Sequence, residues 1–148
     1  MIDNKFHIDY CRIDLRKTDY MPLLTAKVLT DPNINQLQQI FKDYCDYKQF
    51  KSVEPMWDAE FIWDHNDVIG YYSKDKLVAW SLVTKYDRHN VYAVQFAWNY
   101  ENPRLGLGIK SLKHECAYYK ELGYKYYYLG EAHKYKADID GFEILGPR

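Results

Sequence analysis

The sequence is short of cysteine, proline and glycine, and it has no long apolar run. Its three cysteines, Cys11, Cys45 and Cys116, are odd in number and widely spaced. That excludes a disulfide framework and a cysteine-based zinc pattern. Cys116 falls at an apolar helical position, where a thiol is a packing group rather than a nucleophile. Five prolines and seven glycines in 148 residues leave no low-complexity stretch, and no internal repeat is evident. No apolar run reaches the roughly 18 residues that read as a membrane span. Met1-Ile2-Asp3-Asn4-Lys5 opens no signal peptide, so the expectation is a cytoplasmic protein with no membrane partner. No Ser/His/Asp or Cys/His signature stands out. Asp64-His65-Asn66-Asp67 lies between two strands and reads as a turn rather than a metal site.

Charge of one sign is also lacking. The net charge is −1, from 20 Lys/Arg and 21 Asp/Glu, which argues against a nonspecific nucleic-acid binder. The distribution is uneven, however. Residues 1–103 hold 12 basic and 15 acidic side chains, whereas residues 104–136 hold seven basic ones against Glu115, Glu121 and Glu131. A basic segment of +4 thus follows an acidic one of −3. For the mid-helix lysines a solvated helix face explains this equally well; it explains Arg104 less well.

What the chain does have is aromatic residues, 18% of the total with sixteen tyrosines. Its length and bulky side chains suit one domain over residues 1–148. Phe6 to Leu15 alternates and then slips, as a bulged strand would. Asp31-Pro32 reads as a helix start, followed by the stripe Leu37, Ile40, Phe41 and Tyr44. Lys51 to Trp63 reads as a loop or short helix covering a sheet. Val68–Ser73, Leu77–Tyr86 and Val91–Trp98 read as an antiparallel meander.

The most informative stretch runs from Tyr92 to Gly130. A β-branched and aromatic strand, Val91–Trp98, leads through Asn99–Pro103 into Arg104-Leu105-Gly106-Leu107-Gly108. Leu105, Ile109, Leu112, Cys116 and Tyr119 then recur at helical spacing, Gly123 supplies a left-handed stop, and Lys125–Gly130 is strand-like again. A unit of this kind closes as a right-handed parallel crossover, which brings the helix start and the residues just past the second strand to one sheet edge, where open α/β sheets bind ligands. Arg104, Leu105, Gly106, Leu107, Gly108 and Ile109 are therefore candidates to hold an anionic donor. Taken alone, a G-x-G spacing is equally met by a turn with close helix–sheet packing.

The run LGLGIKSLKHECAYYKELGYKYYYLG resembles the C-terminal domain of arginyl-tRNA–protein transferases: an aromatic strand, a Leu-Gly helix start, a K-E-L-G helix end and a Tyr-Tyr-Leu-Gly strand. Tyr135-Lys136-Ala137 and Phe142–Leu145 resemble that family's closing segment, and the hairpin Gly70–Val83 its preceding strands. The resemblance implies an α/β (α+β) GNAT-like acyltransferase fold, with a mixed, mostly antiparallel sheet of about six strands and one parallel strand–helix–strand crossover. The cysteine motifs of the family's full-length N-terminal domain have no counterpart in this sequence, and the loop between Gly130 and Tyr135 is shorter than the family's.

By that resemblance the acyl donor is an aminoacyl-tRNA and the acceptor an amine of a protein, peptide or small molecule, with no covalently bound cofactor. Acetyl-CoA is the alternative donor. The GNAT acyl-CoA signature begins with Arg or Gln three residues before the first glycine, where this chain has Pro103, with Arg104 one residue late. A catalytically inactive module binding an RNA end or a peptide terminus is a third reading, favoured by the short loop. Tyr100, Tyr128 and Tyr135 are candidates to stack on bases, with Trp98 and Lys136 as further substrate contacts. Glu131, directly after Gly130, is positioned to bind an ammonium and take its proton, with His133 as an alternative base. The resembling family usually has an aromatic residue at this place, and a solvated acid paired with Lys134 fits the position as well.

Overall fold

The computed structural model describes residues 9–50 and 56–147. Seven strands form one sheet: β1 (Asp9–Asp14), β2 (Ala26–Val28), β3 (Asn66–Ser73), β4 (Lys76–Lys85), β5 (Asn90–Trp98), β6 (Tyr126–Glu131) and β7 (Phe142–Pro147). Their order across the sheet is β2-β3-β4-β5-β6-β1-β7. Two helices accompany them, α1 (Ile34–Lys48) and α2 (Leu107–Glu121). Every pairing is antiparallel except β5 with β6, and α2 makes the crossover between those two. The architecture is thus the expected mixed α/β one.

Local chemistry explains most of the turns. Lys74 and Asp75 both take left-handed backbone angles, φ 52° and 65°, giving a two-residue turn whose twist matches the β3–β4 hairpin. Helix α2 ends where Gly123 adopts φ 96°. The Gly123 N–H donates to the Lys120 carbonyl and the Tyr124 N–H to the Tyr119 carbonyl, both at 3.0 Å, so the last turn's carbonyls are satisfied.

Two expectations need correcting. Helix α1 starts later than Asp31-Pro32. Asn33 is its cap, extended in backbone, with its side-chain oxygen accepting from the Gln36 N–H at 3.2 Å, and a short polar side chain in that position satisfies an orphan donor. Among the described residues the sheet has seven strands rather than about six, because Ala26-Lys27-Val28 pairs with β3 at the edge; three residues carry no alternation to detect. The slip expected in the first strand is present, as register shifts between Cys11 and Arg12 against β6 and between Tyr10 and Cys11 against β7; Phe6–Ile8 lie outside the described residues. A short 3₁₀ turn at Asp58–Phe61 covers the sheet with Phe61, edge-on to Trp80 at 5.1 Å, while residues 51–55 of that segment also lie outside the description.

Both faces of the sheet are packed. Leu37, Ile40 and Phe41 of α1 bury against Val68, Trp80, Leu82 and Ala97. Cys116 and Tyr119 of α2 bury against Ile69, Tyr71, Val83, Val91, Tyr127 and Leu129. Each fully buried side chain of this size contributes roughly 1.5–3 kcal/mol.

One detail of register creates the site. The parallel pairing of β5 with β6 runs only through Asn90↔Tyr126, Val91↔Tyr127 and Tyr92↔Tyr128. Beyond it β5 stays with β4 as far as Trp98, and β6 stays with β1 as far as Glu131. The two strands part in mid-sheet.

Candidate active site

A cavity of about 920 Å³ opens where β5 and β6 separate, and Ala93–Phe96 on one side and Leu129 and Glu131 on the other line it. Across the β4–β5 pair, Leu82 faces Gln95 but Val83 faces Ala93. Val94 is therefore an extra residue in a bulge, outside the regular ladder.

Gly108 and Ile109, in the first turn of α2, stand in the cavity wall. Gly106 precedes the helix at φ 59° and offers no side-chain cap. The N–H groups of Leu107, Gly108 and Ile109 belong to the first turn, which has no acceptors within a helix, and they carry the positive end of its dipole. A Cβ added to Gly108 would meet nothing within 4 Å, so the backbone here is open to a ligand. The rest of the predicted loop builds the turn beside the cavity: Arg104 is exposed, Leu105 half-buried and Leu107 buried. Any side chain at Gly106 would strain the backbone, because a left-handed angle suits glycine.

The second wall is aromatic. Tyr100 holds a left-handed φ of 57°, and its ring is sandwiched between Trp98 at 4.0 Å and Tyr47 at 3.9 Å. The Lys48 ammonium lies 5.5 Å from the Tyr100 ring centre. Tyr44 meets Phe96 edge-on at 6.0 Å. Burial, with smaller effects of Tyr100, Tyr135 and Cys45, pushes its hydroxyl up to about 12. Trp98 is buried behind this stack, and its indole N–H is the one buried side-chain polar atom among the described residues without a hydrogen-bond partner. Tyr128 lies elsewhere. It alternates with buried Tyr127 and so points to the other face of the sheet, where its hydroxyl accepts from Arg12 at 3.1 Å.

The cavity rim carries both residues predicted as the base. Glu131 Oε2 lies 3.5 Å from His133 Nε2, with both side chains partly exposed, and the Tyr135 ring stacks parallel to His133 at 6.2 Å. Lys136 is buried and donates to the carbonyl oxygens of Leu129 at 2.9 Å and Glu131 at 2.8 Å. Burial lowers its pKa, against the opposing pull of Cys11 and Glu131. Lys136 thus ties the short loop to the end of β6. Glu131, His133, Tyr135, Lys136, Tyr100, Gly108 and Ile109 are brought together; Arg104, Trp98 and Tyr128 do not line the cavity.

The sequence reading missed Glu115. In the charge count it is one of three acids offsetting a basic segment, yet it is 2% exposed at the cavity floor. Ser81 donates to Oε2 at 2.6 Å, Tyr71 donates to the same oxygen, and Tyr127 donates to Oε1. Burial raises the Glu115 pKa, and the three hydroxyls pull it back. The signal was partial: Glu115 stands three residues after Leu112 and four before Tyr119, at the edge of the apolar stripe.

Residues 34–145 match the family described as arginine-tRNA-protein transferase, C terminus. The chain belongs to this family. The match reaches back through α1, beyond the hairpin Gly70–Val83 with which the resemblance in sequence begins. No curated protein sequence matches the chain significantly. Solved structures do. L-PGS from Bacillus licheniformis aligns with a TM-score of 0.64 at 14% identity, over 85% of this chain and 46% of that one. A GCN5-related N-acetyltransferase from Kribbella flavida gives 0.61 at 9%, over 95% and 55%. Saccharomyces cerevisiae N-myristoyltransferase, with bound myristoyl-CoA and inhibitors, gives 0.65 at 11%, over 96% and 49%. At these identities the likeness is one of fold, and the fold is the GNAT acyltransferase fold. The family chain spans about half the length of each of these structures. Among the described residues, no helix is long and apolar enough to cross a membrane.

Proposed function

We propose that the protein is an acyltransferase that moves an aminoacyl group from aminoacyl-tRNA onto an amine of a protein, peptide or small molecule. The observation that carries this reading is the parting of β5 and β6 over a cavity with an uncapped helix start on one side and Glu131–His133 at the rim. In this reading the donor's terminal phosphate lies on the N–H groups of Leu107, Gly108 and Ile109, with exposed Arg104 nearby. Its terminal base stacks on Tyr47, the exposed outer ring of the Trp98–Tyr100–Tyr47 stack. Freed from the ladder, the Val94 bulge offers a backbone N–H to the ester carbonyl, where charge develops during attack.

The chemistry asks little of the side chains. An aminoacyl ester is already activated, and positioning alone is worth roughly 7–11 kcal/mol of barrier. The attacking α-amine must be neutral, and its pKa of about 7.7–8.0 lies only about one unit above neutral pH. Glu131 binds the incoming ammonium and accepts its proton, with His133 beside it. A second reading, acetyl-CoA as donor, draws support from the open space over Gly108, which also suits a pyrophosphate. Pro103 at the place of the usual Arg or Gln speaks against it.

The test is direct. Purified protein is given labelled aminoacyl-tRNA or acetyl-CoA with a panel of N-terminal peptides. Transfer from charged tRNA, with affinity falling steeply as salt rises, supports the reading; transfer from acetyl-CoA alone replaces it with the second.

A further inference from the structure

Ser81 and Glu115 meet at the cavity floor from different elements. Ser81 lies in the middle of β4 and Glu115 on the inner face of α2; they are 3% and 2% exposed, and both line the cavity. The Ser81 hydroxyl donates to Glu115 Oε2 at 2.6 Å. Ser81 pairs with Phe96 on β5, beside the Leu82↔Gln95 pair that flanks the Val94 bulge. The hydroxyl therefore stands close to where the ester carbonyl would sit.

The surroundings of Glu115 are uncharged. The titratable groups facing it are Tyr71 from β3, Tyr127 from β6, Tyr135 from the loop after β6, and Cys116 and Tyr119 on its own helix. None of them is a cation. A buried carboxyl group with no positive partner is held toward its proton-carrying form. Glu131 sits at the rim of the same cavity, partly exposed and beside His133. Two carboxyl groups in opposite environments are how one site supplies an acid and a base at a single pH.

We propose that Ser81 and Glu115 form a proton relay serving the leaving oxygen of an ester donor, an inference that rests on the aminoacyl-ester reading above. The neutral amine attacks the ester carbonyl carbon and a C–N bond forms. The C–O bond to the terminal ribose breaks, with its electron pair staying on oxygen. Once the ester is bound, the Ser81 O–H turns from Glu115 Oε2 to the leaving oxygen, and its proton passes there while the Glu115 proton passes to Ser81 Oγ. The proton lost by the amine goes to Glu131. Glu115 is left as a carboxylate that the Tyr71 and Tyr127 hydroxyls already solvate, and water reprotonates it between turnovers. A ribose oxygen needs this proton because an alkoxide leaves poorly; a thiolate leaves without one.

Wild type, Ser81→Ala and Glu115→Gln are compared with one aminoacyl group carried either on tRNA, as an oxygen ester, or on a small thiol, as a thioester. The relay requires both variants to lose on the order of 10²-fold or more in rate from the oxygen ester, with the thioester rate changed only a few-fold. It also requires the alkaline decline of the oxygen-ester pH profile to disappear. Equal losses on the two donors, or no loss, overturn it. Carbon NMR of the Glu115 carboxyl in the whole protein is read independently of turnover, and Ser81→Ala, which removes only a hydroxyl, guards against misfolding of Glu115→Gln. A carboxyl still protonated above the usual range, and shifted by Ser81→Ala, supports the relay; one ionised in the usual range overturns it. A wild type inactive on every ester overturns the aminoacyl reading and the relay together, whereas an active wild type with unaffected variants overturns the relay alone.

Discussion

The ammonium of Lys136 grips the main chain of Glu131, donating to its carbonyl oxygen at 2.8 Å while also holding the Leu129 carbonyl at 2.9 Å. A buried lysine is thereby the strut that sets the end of β6, and with it the direction of the rim carboxylate. Lys136→Met keeps the stem and removes both bonds. The Glu131 carbonyl keeps the His133 N–H at 3.0 Å, so the cost falls on the Leu129 carbonyl, roughly 1–3 kcal/mol if it is left unsatisfied, read as a lower melting temperature. Transfer activity should fall further than the loss of folded protein explains. A variant as stable as wild type would show that water replaces the ammonium.

Gly108 is the cleaner probe of the helix start. Its backbone is unstrained and a Cβ there meets nothing within 4 Å, so Gly108→Ala should raise stability by about 0.4–1 kcal/mol, chiefly by restricting the unfolded chain. The methyl group occupies the space left for the donor, and calorimetry should show weakened donor binding. Unchanged affinity would reduce the loop to a packing turn. Gly106→Asp is less informative, since its φ of 59° adds backbone strain of roughly 1–2 kcal/mol.

Glu131→Gln keeps the shape of the rim and removes its base. The rate at neutral pH should drop by about 10²-fold and recover in part near about pH 9, where the α-amine is already neutral. A pH–rate profile that overlays wild type would assign Glu131 to the surface.

Glu115 has a consequence for stability as well. Its folded pKa is raised by burial, so its favourable contribution is complete below the ordinary carboxylate range and fades as pH rises through the folded value. Unfolding free energy measured upward from that range should therefore decline in wild type, and decline less in Glu115→Gln. Parallel curves for the two proteins would mean that the three hydroxyls offset the burial completely.

Periodicity and turn chemistry made the core of the fold legible. Runs of β-branched and aromatic residues between polar turns marked β3, β4 and β5, helical spacing marked α2, and Gly123 marked its end, because each is a local property of a few neighbouring residues. Local signals also brought Gly108, Ile109, Glu131 and His133 to one edge, since a right-handed crossover leaves the chain no other place for them. Where three residues form an edge strand, as at Ala26–Val28, the partner strand alone decides the structure, and the sequence has nothing to read. The choice of Asn33 over Asp31 as helix cap likewise depends on which side chain meets the free N–H groups. Side-chain surroundings decided the rest. Whether Glu115 is a solvated acid or a buried one depends on Tyr71, Ser81 and Tyr127, which arrive from three strands, and whether Lys136 meets substrate or backbone depends on where β6 ends. Electrostatic environment is set by residues distant in sequence, so charge, burial and proton affinity at this site belong to the tertiary structure.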